Sequence, residues 1–320
     1  MASDGLRSFD EEVKQCFVMC SAINVTNDAW SQAQLGLKFG GLGLRSLSHH
    51  AAAAFIASLS FSGFGTADNI HLKQAVAMFN TQSSPPVSGC SSCFLLAISG
   101  PFPWFGLAPG VDQMAIRWWL GLDTSGRSMC PFCPDTALDP LGHHAVTCRH
   151  GGDVVTRHNR LQDEVFDLFC RAHLSVSVER GHGLTRDLAH TRPADILIAG
   201  WDRGKPAALD LTITSPLCSV ILGESCYQAG AAAMAAETRK LHSNGPKCQE
   251  LGWSCIPLAV ETYGNWGKQA HYTFSRLASF LAIHQSSPKA VVVAEIYGQL
   301  NVVLVRSIAR AILARELPHS

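Results

Sequence analysis

The sequence predicts an α/β protein whose core runs helix, strand, strand, strand, helix, strand around a mixed sheet. Three observations carry this. Residues 158–173, HNRLQDEVFDLFCRAH, set Leu161, Val165, Leu168, Phe169 and Ala172 on one face at helical spacing. SVSVER at 175–180, ADILIA at 194–199 and AALDLTIT at 207–214 have the alternation or the β-branched and aliphatic content of strands, and the last two are joined by a Gly- and Pro-containing turn. GESCYQAGAAAMAAETRKLHS then reads as one long helix and CIPLAVETYG at 255–264 as a further strand.

Ahead of this core, residues 9–24 read as a helix, with Asn27 or Asp28 capping a short second one around Trp30. Gly40, Gly41 and Gly43 lack the strand-to-helix setting of a dinucleotide site, so they read as a tight turn into an alanine-rich helix from Ala51 to Leu59. His49 and His50 receive no role. The expected organisation is a helical segment over 1–80, a Ser-, Pro- and Gly-rich linker over 81–112, a zinc knuckle over 113–150, the α/β core over 151–266 and C-terminal helices over 267–320.

Composition narrows the function classes. In 320 residues, Lys+Arg and Asp+Glu both number 25, so no global charge draws the chain to nucleic acid and any such contact must be local. The N-terminus meets acids early and does not read as a secretory signal, which predicts a nuclear or cytoplasmic protein. Ser46–Ala67 and Cys90–Val111 lack charge but are interrupted by polar residues or by Pro and Gly, so neither reads as a membrane span. The 12 cysteines then read as thiols and metal ligands.

Their spacing separates two groups. Cys90 and Cys93 lack a following ligand pair at short range and read as plain thiols. Cys130, Cys133, His143 and Cys148 form C-x2-C-x9-H-x4-C, the donor set of a closed tetrahedral zinc site, with His144 as the competing ligand. A short Pro- and Gly-containing segment has little apolar material of its own to fold around. Zinc supplies the missing stabilisation.

Asp195 and Asp210 stand in apolar strands on either side of one turn. Burying a carboxylate costs several kcal/mol unless a cation or donors compensate, and two brought together point to a shared metal ion. Glu164 flanks the apolar stripe of the preceding helix, and Glu237 and Lys240 share a face of the following one, so either can turn towards the carboxylates. Arg180, Arg186 and Arg192 lie in and around the loop between the first two strands and are the expected phosphate contacts. Arg306 and Arg310 lie one turn apart in the last helix, which reads as covering the core or facing a protein partner.

The series CPFC, HHAVTC, RHNRLQDEVF, RPADI, LDLTITSPL and IPLAVETYG resembles the C-terminal region of non-LTR retrotransposon proteins, in which a zinc knuckle precedes a restriction-like endonuclease. The likeness covers Cys130 to about Trp266. LGLKFGGLGLRSLSHHAAAAFIASL more weakly resembles the segment after a reverse-transcriptase palm, while no palm and no Y-x-D-D are present. The resemblance implies a PD-(D/E)xK fold with Mg²⁺ bound by Asp195 and Asp210 and with Glu164 as the helix acid. Thr212 occupies the place of the motif lysine, and Lys240 on the next helix is its nearest substitute. The expected function is Mg²⁺-dependent hydrolysis of DNA phosphodiesters, with DNA, or RNA of the parent element, as partner. The alternatives are a catalytically silent nucleic-acid-binding module that keeps the zinc, and an apolar protein-interaction scaffold.

Overall fold

The computed structural model describes residues 2–36, 41–51, 109–126, 129–133, 135–178 and 194–316. The chain divides into two compact units, Met1–Ser88 and Gly89–Ser320. In the first, helices α1 (Ala2–Ser21) and α2 (Asn27–Gln34) are described. Thr26, and neither Asn27 nor Asp28, caps α2, its hydroxyl accepting from the Ala29 N–H at 3.2 Å. Asp10 of α1 accepts from Ser46, Leu47 and Ser48 at 2.6–3.1 Å and so caps the helical turn that starts at residue 47. His49 and His50 face solvent. Beyond Ala51, the helix expected from Ala51 to Leu59 lies outside the described residues, as do Cys90 and Cys93.

The second unit is mixed α/β with a four-stranded mixed sheet. Its elements are α3 (Pro109–Trp119), α4 (His143–Thr147), α5 (Asp153–Arg171), β1 (Val176–Val178), β2 (Ile196–Asp202), β3 (Lys205–Thr214), α6 (Leu222–Ser225), α7 (Ala231–Glu250), β4 (Ser254–Glu261), α8 (Lys268–Gln285) and α9 (Lys289–Glu316). The strands lie in the order β1-β2-β3-β4, antiparallel between the first three and parallel between β3 and β4. Two neighbouring antiparallel strands need only the Asp202–Lys205 turn, where Arg203 and Gly204 take positive φ. The parallel pair needs a crossover, and α7 provides it.

Two boundaries differ from expectation. The helix expected from Gly223 to Ser243 is broken at Gly230, whose φ of 79° starts α7, so the exposed segment around Val220 and Tyr227 stays outside it. Helix α3 begins inside the expected linker and packs on α9.

Small residues set how closely α7 lies on the sheet. Ala233 and Ala236 meet Ala259 of β4, all fully buried. Buried acids then tie the helix starts down. Glu261 at the end of β4 accepts from the Ala232 and Ala233 N–H groups of α7, and Glu237 of α7 accepts from Gln269 and Ala270 at the start of α8. Gly267 leaves room for that second carboxylate, which would lie 2.2 Å from a Cβ there. Helix α9 runs along α5, α3 and α8. It is long and apolar enough to cross a membrane, and 56% of its most apolar stretch is buried within the protein.

Candidate functional site

The knuckle is built by two short segments. Cys130 and Cys133 come from a turn closed by Cys130 N–H to the Thr136 carbonyl, and His144 and Cys148 come from α4 and its end. The ligand atoms of Cys130, Cys133, His144 and Cys148 all lie within 4.8 Å of one another. Among the described residues this is the one group of three or more His, Cys, Asp or Glu side chains that closes in this way.

His144, and not His143, enters the cluster. Gly142, at φ 72°, sets the start of α4, and Asp139 fixes its phase by accepting from the His143 and His144 N–H groups at 2.9 and 2.7 Å. From that start His144 and Cys148 are four apart and share a face, whereas His143 turns aside. Its Nδ1 lies 3.6 Å from Asp139 Oδ1, with 41% of its side chain exposed.

The residues present fit zinc. His144 Nε2 is buried with no hydrogen-bond partner, and three buried thiols crowd beside it, Cys133 and Cys148 at 3.2 Å. Their protons compete. The bond with Cys148, then burial, push the Cys133 thiol up to about 12. Burial would raise Cys148 too, but bonds with Arg315 and Cys133 outweigh it and bring it down to about 6. His150 adds a neighbour that spacing did not reveal, its Nδ1 3.1 Å from Cys133 Sγ.

The knuckle is fastened to the core by two arginines. Arg157 of α5 donates to the Val146 carbonyl at 3.0 Å. Arg315 of α9, with 0% of its side chain exposed, donates to Asp153 at 2.8 Å and to the His150 carbonyl at 3.2 Å, and lies over the Phe132 ring.

The second site lies at the pairing of β2 and β3. Because Ile196 faces Leu209 in the antiparallel register, Asp195 and Asp210 are opposed one step further on and share a sheet face. Asp195 Oδ2 accepts from the Leu211 N–H at 2.7 Å, and His158 Nε2 lies 3.3 Å from it and 3.1 Å from the Leu211 carbonyl. The bond to Asp195 holds His158 above the usual histidine range, with burial opposing it. Gln162, one turn further along α5, donates to the Asp195 carbonyl at 2.8 Å.

Asp210 is 6% exposed and is met by α7. The stripe Ala233, Ala236, Lys240, Asn244 faces the sheet, so the small residues that admit the helix are followed by two donors. Lys240 Nζ reaches Oδ1 at 2.9 Å and Asn244 Nδ2 reaches Oδ2 at 2.5 Å. Burial pushes Asp210 above the usual carboxylate range, Lys240 pulls it back, and the charge of Asp195 pushes it up again. Thr212, two residues on, keeps a buried hydroxyl oxygen with no partner.

Glu164 is not brought to this pair. It stands about 200° around α5 from Gln162 at 100° per residue, where its charged neighbours are Arg171 and Asp167. Glu237 turns to the start of α8, leaving Lys240 as the residue of that pair at the carboxylates. Arg180, Arg186 and Arg192 lie outside the described residues.

His158 and Gln162 were missed because both sit on the α5 face read as apolar. The signal available was a polar pair four apart flanking Leu161 and Val165. No protein-family model matches this sequence, and no curated protein matches it.

Proposed function

We propose that the second unit is a metal-dependent endonuclease module of retrotransposon origin that hydrolyses DNA phosphodiesters, with the knuckle as a structural zinc centre. The observation that carries this reading is Lys240 at 2.9 Å from Asp210, a cation from the neighbouring helix in a cleft where Thr212 occupies the motif position. The element order, with three antiparallel strands, a crossover helix and a parallel fourth strand, is consistent with the restriction-like fold that the resemblance implies.

Asp195 and Asp210 would hold Mg²⁺, which when bound supplies positive charge beside the scissile phosphate and a more acidic water. The remaining work falls to this chain's own groups. The Leu211 N–H and His158 orient the Asp195 carboxylate, and Asn244 holds one oxygen of Asp210. Lys240, with 36% of its side chain exposed, keeps contact with solvent and stabilises charge gathering on the phosphoryl oxygens. The knuckle positions nucleic acid and takes no part in bond cleavage.

A silent nucleic-acid-binding module is the second reading. Both Asp210 oxygens already have protein donors, and no lysine stands at 212, so the pair is satisfied without an ion. Nicking of a supercoiled plasmid separates the two. Lys240→Ala is expected to cut at least tenfold more slowly with DNA affinity kept, as for a group acting mainly in the transition state. Equal cutting by Lys240→Ala and wild type would remove the lysine from the mechanism, and no cutting by wild type with any divalent metal would favour the silent module.

A further inference from the structure

Three arginines, none of them part of either site described above, gather where α5 packs along α9. Arg306 and Arg310 stand one turn apart on α9, and Arg160 comes from α5. Arg310 and Arg160 are exposed and Arg306 is half-buried. Burial, then the charges of Arg160 and Arg306, push Arg310 down. Among the described residues none of the three has an ion pair or a hydrogen bond, and the Arg306 Nε is buried without a partner. The acid beside Arg306 is Asp112 of α3, whose Oδ1 is also buried and unpartnered. Of the three guanidinium groups, Arg306 has this carboxylate beside it.

Other arginines of this unit are treated differently. Arg276 is paired with Asp202 and the Trp201 carbonyl, Arg315 with Asp153, and Arg157 with the Val146 carbonyl. A cluster of like charges with one acid beside it opposes folding through repulsion. An anion from outside the chain would offset that repulsion.

We propose that Arg160, Arg306 and Arg310 form a docking surface for the phosphate backbone of a nucleic acid. The guanidinium fork matches phosphate oxygens two at a time, and groups one turn apart on α9 with a third from α5 can meet more than one phosphate. The chain has no net charge, so attraction to a polyanion must be local, and this is such a locality. The surface is also near the cleft in sequence and on the same helix. Arg160 follows by two residues His158, which touches Asp195. The proposal rests on nucleic acid as the partner, common to both functional readings, and not on cleavage.

The test is fluorescence anisotropy of a labelled duplex over a salt series, using full-length protein with Asp210→Asn as background to prevent cutting. R160A/R310A is expected to flatten the slope of log affinity against log salt by about 1.8, from about 0.9 per lost phosphate contact. R160K/R310K keeps the charge and is expected to keep most of the slope, a rescue that a packing role would not produce. An unchanged slope in the alanine pair, with unchanged melting, overturns the proposal. So does a free-anion result, in which inorganic phosphate raises the melting temperature of the parent but not of the alanine pair while the duplex slope is unchanged. Cutting retained by Asp210→Asn alone would count against the nuclease reading and leave the slope comparison intact.

Discussion

The knuckle and the carboxylate cleft both gather polar side chains in a small volume, and they differ in what is left unsatisfied. In the knuckle, His144 Nε2 has no partner and thiols stand 3.2 Å apart with their protons in competition. In the cleft, both Asp210 oxygens and the Asp195 Oδ2 have donors from the chain. One arrangement leaves a donor set that an ion could complete. The other is complete as a folded structure and has to exchange some of its own contacts to take one. On the proposed function, metal in the knuckle would be part of folding, whereas metal in the cleft would belong to the bound state with substrate.

The largest effect that tests this contrast is loss of zinc. Elemental analysis should find one equivalent of tightly held Zn²⁺ in wild type and none in Cys133→Ser, and the variant should expose residues 129–150 to proteolysis, since apparent zinc-binding energies of about 10–16 kcal/mol in small zinc folds act as folding energy. Zinc-free wild type that resists protease equally would place the knuckle with the self-sufficient sites.

Next comes the fastening of the knuckle. Replacing fully buried Arg315 by Met leaves Asp153 and the His150 carbonyl without their cation, and loss of one partner of a buried pair costs about 3–5 kcal/mol. Urea unfolding should show this together with weaker zinc retention. A loss under 1 kcal/mol would mean that the knuckle stands independently of α9.

The cleft should respond in the opposite sense. Burial holds the Asp210 carboxyl high, so its ionisation opposes folding, and the stability it contributes is lost as pH rises through the raised value. At neutral pH Asp210→Asn should therefore melt no lower than wild type, within about 1 kcal/mol or above it, while cutting disappears. A large drop in melting temperature would make Asp210 a structural residue.

The smallest expected effect concerns His158. Its value is raised by the bond to Asp195, so that contact stabilises fully below the ordinary 6.5 and is lost as pH rises through the raised value. Between pH 6 and 8.5, in Mg²⁺-free buffer, wild type should lose more melting temperature than His158→Gln. Parallel curves would show that His158 is neutral throughout.

What was legible in the sequence follows from how local each feature is. Strand composition and the turn between them put Asp195 and Asp210 on neighbouring strands, while their opposed register depends on the irregularity between Ile198 and Asp202, and C-x2-C followed by His and Cys at short range marks the thiols. The choice between His143 and His144 was not legible, because one residue of phase depends on where α4 starts. Gly142 and the Asp139 carboxylate decide that. Lys240 and Glu237 looked equivalent as neighbours on one face until the packing of α8 took the glutamate as a cap. Glu164 looked suitable by its distance from the stripe, yet the rotation of α5 presents His158 and Gln162 to the sheet instead. The triple-arginine surface required α5 and α9, separated by most of the unit in sequence, to be seen side by side.

The most direct measurement follows zinc content and plasmid nicking in the same preparations. Wild type freed of Mg²⁺ by dialysis is predicted to keep one Zn²⁺ per chain and to cut nothing until Mg²⁺ is added. Asp210→Asn is predicted to keep the same zinc and to cut nothing at any Mg²⁺ concentration. Cutting by Asp210→Asn, or wild-type cutting that needs no added Mg²⁺, would contradict a division of labour between a zinc centre that folds the unit and a carboxylate cleft that cleaves.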